Sequence, residues 1–406
     1  MLQHSHQITT KKIFSVLFDI LQNNTGLKLK TKKVHVAIVG TVGLPACYGG
    51  FESLVENLVS NCSQDVSYTV FSSSKAYKEK ITTYKGASIH YVPLHANGIQ
   101  SIPYDVLSLL KTLFIRPDVT LILGVSGCLF LPIFRLFYRG KIITNIDGLE
   151  WKREKWNGWI KRFLQLSERC AVRFSDIVIA DNQAITGYVA DKYKTNALTI
   201  SYGGDHALAI ENKDNTVDSK VNTEPYFLSI CRIEPENNVE MVLDSFSQCP
   251  QSQLKFVGNW GKSEYGRRLK SKFSAYNNIE IIDPIYDINT LYELRSQCIG
   301  YVHGHSAGGT NPSLVEVMHF AKIIFAYDCN FNRFTTENGC CYFSNAEDLA
   351  RQIAAIGDNH CAIGETMKNI AMRRYTWDVV REQYESTYTL SKISVKDVSE
   401  KNKEAI

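Results

Sequence analysis

The chain has 406 residues, 44% of them hydrophobic and 21% charged, and a formal net charge of +4. That length exceeds one ordinary core and calls for two domains, while so mild a charge gives no global electrostatic support for a nucleic-acid role. Eleven cysteines with no Cys-x-x-Cys pair read as buried free thiols in a reducing compartment rather than a disulfide framework, and the apolar patch at 121–136 is broken by Gly124, Pro132 and Arg135, which argues against a transmembrane helix.

Residues 1–33 form an N-terminal extension. Ile13, Phe14, Leu17, Phe18 and Leu21 recur at helical spacing, and a basic run follows to Lys33, so this segment either lies on a membrane or docks on the body of the protein. No secretory signal pattern is present, and a cytoplasmic location is expected. The first domain, 34–205, opens with the buried parallel strand Val34 to Gly40 and a glycine loop over a helix bearing Leu54, Val55, Leu58 and Val59. This loop lacks the G-x-G-x-x-G spacing. The next apolar run ends in Ser72, Ser73 and Ser74 where an acidic ribose ligand would stand, so a nicotinamide dehydrogenase is weakly supported. Gly49 and Gly50 remain as a flexible turn at a helix N-terminus, suited to holding a phosphate or sugar against the backbone.

Apolar runs at 88–92, 119–123, 141–145, 177–180 and 197–201 alternate with helical stretches, the pattern of a doubly wound parallel sheet. After Asn145, acidic Asp147 and Glu150 mix with Trp151, Trp156, Trp159 and several cations. Such a segment suits a sugar, a phosphate or a lipid headgroup, or equally a helix with tryptophans in its core and snorkelling cations. The polar stretch Glu211 to Pro225 reads as a linker into a second domain, 206–376, whose first strand delivers Arg232 at its end.

The most informative stretch is Cys298 to Asp328, a strand, small-residue loop, helix and strand. Asn311 is a natural N-cap and Pro312 suits the first helical position. Gly308 and Gly309 let backbone N–H groups approach an anion, and Glu316, one turn inside, can accept two hydrogen bonds from a ribose diol. An ordinary βα turn with a solvated glutamate is the alternative. The last segment, 377–406, is a helix from Trp377 followed by a charged tail.

Taken together, GLPACYGGFE at Gly43, NIDGLEWKREKW at Asn145, YGGDH at Tyr202, RIEPENN at Arg232, GHSAGGTNPSLVE at Gly304 and RYTWDVVREQY at Arg374 resemble blocks of one family. They resemble the retaining GT-B glycosyltransferases of bacterial polysaccharide synthesis, family 4-like, in the subgroup that includes rhamnosyltransferases. The resemblance covers about residues 34–390. It implies two Rossmann-like doubly wound parallel-sheet domains facing across a cleft, with the last helix crossing back to the first. It further implies transfer of a hexose or deoxyhexose from a nucleoside-diphosphate sugar to a saccharide, with a lipid-linked acceptor and an anionic membrane surface as candidate partners, at the inner face of the plasma membrane.

By the resemblance, Glu316 binds the donor ribose, Arg232 the diphosphate, and Gly49 and Gly50 lie under the donor phosphates. Two positions depart from the family: Gly308 stands where it has a first glutamate, and Asn237 where it has a lysine. The sugar end of the donor is then expected to be held by the backbone from Gly308 and Gly309 through Thr310 and Asn311. Asp147, Glu150 and Trp151 are the candidates for the acceptor side, with Asp147 beside Arg232 and Glu316 in the catalytic set. No Asp-x-Asp triplet occurs, so neither a metal nor another cofactor is expected. A nucleotide-sugar epimerase and a non-catalytic sugar-binding protein are the alternatives.

Overall fold

The computed structural model describes residues 33–47, 49–149, 151, 157–209, 224–356 and 360–390. The expected helix at 11–21, Glu150 with Lys152, Arg153 and Lys155, most of the linker and the charged tail lie outside these residues.

Apolar runs covered on both faces become parallel strands. β1 (Val34–Val39), β2 (Val66–Ser73), β3 (Thr83–Tyr84), β4 (Ala87–Val92), β5 (Val119–Leu123), β6 (Lys141–Asn145), β7 (Ile177–Ala180) and β8 (Leu198–Thr199) form one sheet in the order 3-4-2-1-5-6-7-8. Its pairings are parallel except for β3 against β4. Central β5 is buried at all five residues, whereas β4, next to the edge, alternates.

Five helices connect these strands: α1 (Gly50–Ser60), α2 (Ser101–Ile115), α3 (Leu131–Phe137), α4 (Gly158–Phe174) and α5 (Gln183–Tyr193). Leu54, Val55, Leu58 and Val59 of α1 cover one face of the sheet, and α2 to α5 cover the other. Right-handed crossovers impose this division, because the chain winds one way from β1 to β2 and the other way from β1 towards β5. The carboxyl ends of β1 and β5 therefore flank a topological switch point.

The second sheet repeats the plan. β9 (Tyr226–Ile230), β10 (Gln253–Val257), β11 (Ile279–Ile282), β12 (Gly300–His303), β13 (Ile323–Tyr327) and β14 (Cys341–Phe343) run parallel in the order 11-10-9-12-13-14, with the switch between β9 and β12. Its helices are α6 (Val239–Ser247), α7 (Glu264–Phe273), α8 (Ile288–Gln297), α9 (Pro312–Met318), α10 (Asn330–Thr335), α11 (Ala346–Ala354) and α12 (His360–Arg374). Core residues of α6, α7 and α11 share one face, and those of α9 and α12 the other.

The final helix, α13 (Trp377–Thr389), returns to the first sheet, where Trp377, Val380, Tyr384 and Tyr388 join the core under α1. Asn145 at the end of β6 donates to the Tyr384 hydroxyl at 2.7 Å, and the Tyr68 and Tyr388 hydroxyls lie 3.1 Å apart. Two strands had no counterpart in the apolar pattern, β3 and β14. Each is two or three residues at a sheet edge, too short for periodicity to register. The eleven cysteines are all free thiols, three of them buried, and no described helix is long and apolar enough to cross a membrane.

Candidate functional site

The loops that follow the carboxyl ends of the two sheets meet. After β6 the chain turns through Asp147, held at a left-handed φ of 59° by its own N–H bonded to the Asn145 side chain at 2.9 Å. The next residue, Gly148, lies so close to Gly308 that an added Cβ would sit 2.9–3.2 Å from its backbone atoms. After β7, Asp181 and Asn182 reach the same loop. Thr310 donates its N–H to Asp181 Oδ2 at 3.1 Å and its hydroxyl to the Asp181 carbonyl at 2.7 Å, and Asn182 Nδ2 donates to the Thr310 hydroxyl at 3.1 Å. Gly309 closes the contact, since a Cβ there would fall 2.0–2.4 Å from the Asp181 carboxyl. Asp181 is buried, its Oδ1 has no hydrogen-bond partner among the described residues, and burial, with the charge of Asp147 added, pushes its carboxyl well above the ordinary carboxylate range.

Beyond β8, Tyr202 donates its hydroxyl to Asp147 Oδ1 at 3.3 Å and packs on Gly50, whose added Cβ would sit 3.3–3.4 Å from the ring. Gly49 is the N-cap of α1, with φ 145°. The turn is stitched from within by Glu52, whose Oε1 accepts from the Thr41 hydroxyl at 3.0 Å and from the Val42 N–H at 2.8 Å. Gly204 then passes over α9, where a Cβ would meet the Glu316 nitrogen at 2.7 Å.

α9 opens where the residues require. The Asn311 side chain accepts from the Ser313 N–H at 3.0 Å, and Pro312 takes the first position. On this helix Glu316 bonds Arg295 of α8 through one oxygen and lies 3.3 Å from His206 Nε2 through the other. Burial works to raise the Glu316 carboxyl, but the Arg295 charge and the His206 contact outweigh it and hold it below its usual range. Both oxygens thus have protein partners, and a ribose would use the lone pairs that remain.

Arg232 follows β9 with a side chain 40% exposed and, among the described residues, only a 3.9 Å ion-pair contact, to Glu234, in contrast with Arg295, 6% exposed inside its ion pair. Asn237 is buried and already employed: Nδ2 donates to the Arg232 carbonyl at 2.7 Å, and Oδ1 faces His305 Nδ1 at 2.8 Å. Trp151 lies away from these loops, its indole N–H donating to Glu168 at 3.1 Å and its ring beneath Lys192. Among the described residues no group of three or more His, Cys, Asp or Glu side chains could hold a metal ion.

The cleft thus gathers Asp147, Gly49, Gly50, Arg232, Asn237, Gly308, Gly309, Thr310, Asn311 and Glu316 around the facing strand ends. Sequence reasoning missed Asp181, Asn182, Tyr202, His206 and Arg295. A signal for the first two was present, since two polar residues stand directly after the apolar run of β7, at its carboxyl end. Nothing local marks Arg295, which lies on a helix 21 residues before its partner.

Residues 33–205, which carry the first sheet, match the family model described as Domain of unknown function (DUF1972). No curated protein sequence matches the chain significantly. Among solved structures, sucrose-phosphate synthase from Thermosynechococcus elongatus is similar over 88% of this chain and 98% of its own, with a TM-score of 0.71 and 16% identity. Anabaena Alr3699/HepE in complex with UDP-glucose covers 88% and 99%, with a TM-score of 0.65 and 16% identity. A glycosyltransferase from Rickettsia africae ESF-5 covers 88% and 98%, with a TM-score of 0.63 and 13% identity. At these identities the likeness establishes the fold, which is GT-B.

Proposed function

We propose that the protein is a retaining glycosyltransferase that moves a hexose or deoxyhexose such as rhamnose from a nucleoside diphosphate to a saccharide acceptor, lipid-linked, in cell-surface polysaccharide synthesis. The observation that carries this reading is Arg232, a half-exposed cation on the rigid end of β9, in the cleft where both sheets present their carboxyl ends. A guanidinium there offers forked donors to a diphosphate. HepE, solved with UDP-glucose, lends support from the same fold.

In the reaction the bond from the anomeric carbon to the diphosphate oxygen breaks, a bond to the acceptor hydroxyl oxygen forms, and the hydroxyl proton leaves with the diphosphate. Negative charge grows on the leaving group, so a donor fixed at Arg232 lowers the barrier without moving. Glu316 orients the ribose, and Asp147, braced by Tyr202 and Asn145, faces the acceptor. With no Asp-x-Asp triplet in the chain, Arg232 and backbone N–H groups, rather than a divalent cation, neutralise the diphosphate.

The test is a thermal-shift panel of nucleoside diphosphates and their sugars, followed by turnover with saccharide acceptors before and after EDTA. A stabilising nucleotide, activity that survives chelation and a loss of about 10²-fold in Arg232→Ala are expected. Donor binding without turnover across the acceptor panel would leave a sugar-binding protein, and formation of an epimer without acceptor would leave an epimerase. Full loss on chelation with rescue by Mg²⁺ would overturn the metal-free mechanism.

A further inference from the structure

Three helices on one face of the first sheet are apolar on the side they turn to solvent. On α2 the exposed positions are Pro103, Leu107, Leu110, Lys111 and Phe114, a single stripe at helical spacing, and Phe114 is 87% exposed. On α3 they are Ile133, Leu136 and Phe137, again one stripe, with Leu136 at 78%. Along α4 the stripe runs Trp159, Arg162, Leu166, Arg169, Arg173, with Trp159 at 80% and the Arg162 guanidinium 5.7 Å from its ring. The inner faces of the same helices fill the core through Tyr104, Leu109, Leu131, Phe134 and Leu164. Both sides of α2 and α3 are therefore apolar, a pattern that a helix on an aqueous surface does not carry. Patches of this kind mark interaction sites.

Charge decides what covers the face. The only acidic residues of the three helices, Asp105 and Glu168, are both buried, so their solvent side carries cations and no carboxylate. Next to it, a groove of about 1020 Å³ between α4 and α5 is lined by Arg162, Arg169, Arg173, Lys192 and Lys194. Among the described residues the one carboxylate there, Asp176, is taken by Arg135 at 2.5 Å. We propose that the outer face of α2, α3 and α4 docks on an anionic lipid bilayer, with Leu107, Leu110, Phe114, Leu136, Phe137 and Trp159 entering the interface and the arginines of α4 meeting the headgroups. Aromatic and aliphatic side chains beside cations are the composition of interfacial helices. A second copy of the chain fits the charge badly, because a two-fold interface would set the arginines of one copy against the same cation-bearing face of the other with no acid between them.

The docking does not depend on the donor reading, since vesicle binding is measured without turnover. The full chain is sedimented with vesicles of phosphatidylcholine alone and with about one third phosphatidylglycerol, at low and high salt. Binding to the anionic vesicles that weakens with salt is expected. Leu136→Ser with Phe137→Ser, and separately Arg169→Glu with Arg173→Glu, should each lower the partition about tenfold or more while keeping the wild-type melting temperature. Absence of binding at low salt, equal binding to neutral vesicles, or wild-type binding by both variants would overturn the proposal. So would a dimer in sedimentation that Leu136→Ser with Phe137→Ser dissolves, in a wild-type protein that ignores vesicles.

Discussion

Asn237 joins Arg232 to His305: its Nδ2 donates to the Arg232 carbonyl at 2.7 Å, and its Oδ1 receives the His305 Nδ1 proton at 2.8 Å. The amide orientation follows from the carbonyl, which can only accept, and it places the imidazole proton on Nδ1. Asn237 therefore holds the strand end carrying Arg232 against the loop after β12.

Asn237→Ala removes both bonds at a buried position, and a loss of about 1–3 kcal/mol in stability is expected. Nucleoside-diphosphate affinity should fall with it, because Arg232 loses its anchor. Asn237→Lys should do no better, since its ammonium would be buried among groups already bonded to one another. Urea midpoints and nucleotide titrations of the two variants measure this, and wild-type values for Asn237→Ala would refute the anchoring role.

Glu316→Gln tests the ribose assignment, with an expected loss of about 1.5–3 kcal/mol in donor binding. The structure adds a cost in stability, because Arg295 keeps its charge in a buried place and loses its countercharge. Breaking a buried pair from one side costs about 3–5 kcal/mol, and the hydrogen bond that glutamine retains keeps this variant at or below the low end. The pH dependence has a definite sign. The folded carboxyl titrates below its unfolded value, about 4.3, so its contribution is complete above that pH and is lost as pH falls through the folded value. Melting from pH 7 to pH 3 should therefore cost wild type more than Glu316→Gln, and parallel profiles would remove the ion pair from the account.

Asp181 has the opposite sign. Its folded carboxyl titrates well above the unfolded value of about 3.9, so its relative stability is greatest below that pH and declines as pH rises towards the folded value. Asp181→Asn keeps an oxygen for the Thr310 N–H and has no proton to lose. It should flatten the stability profile above pH 4 and raise the melting temperature at pH 7, by about 2–4 °C for each kcal/mol recovered. A lower melting temperature at pH 7 would contradict the burial argument.

Gly309→Ala should wedge the two loops apart, since its Cβ would fall 2.0–2.4 Å from the Asp181 carboxyl. Overpacking of this kind costs about 1–3 kcal/mol. Pairing it with Asp181→Gly removes the obstructing atoms, so the double variant should bind nucleotide better than Gly309→Ala alone. Additive losses in the cycle would separate the two residues.

Much of the fold was legible along the chain because its signals are local. The buried run of β5, the cap at Asn311 with Pro312 behind it, and the alternation of strand and helix all depend on neighbours within a few residues. What the cleft does with its polar groups could not be read that way. Thr310 and Asp181 lie 129 residues apart, and Asn145 and Tyr384 lie 239 apart. Pairing over such distances is set by how the two sheets are brought together, to which local spacing is blind. The apolar stripes of α2 and α3 make the same point. Periodicity finds the apolar residues, but with both sides of a helix apolar it assigns them all to the core, and only the packed structure decides that Phe114, Leu136 and Phe137 face outward, because a single layer of helices covers the sheet and each helix can bury only one side against it.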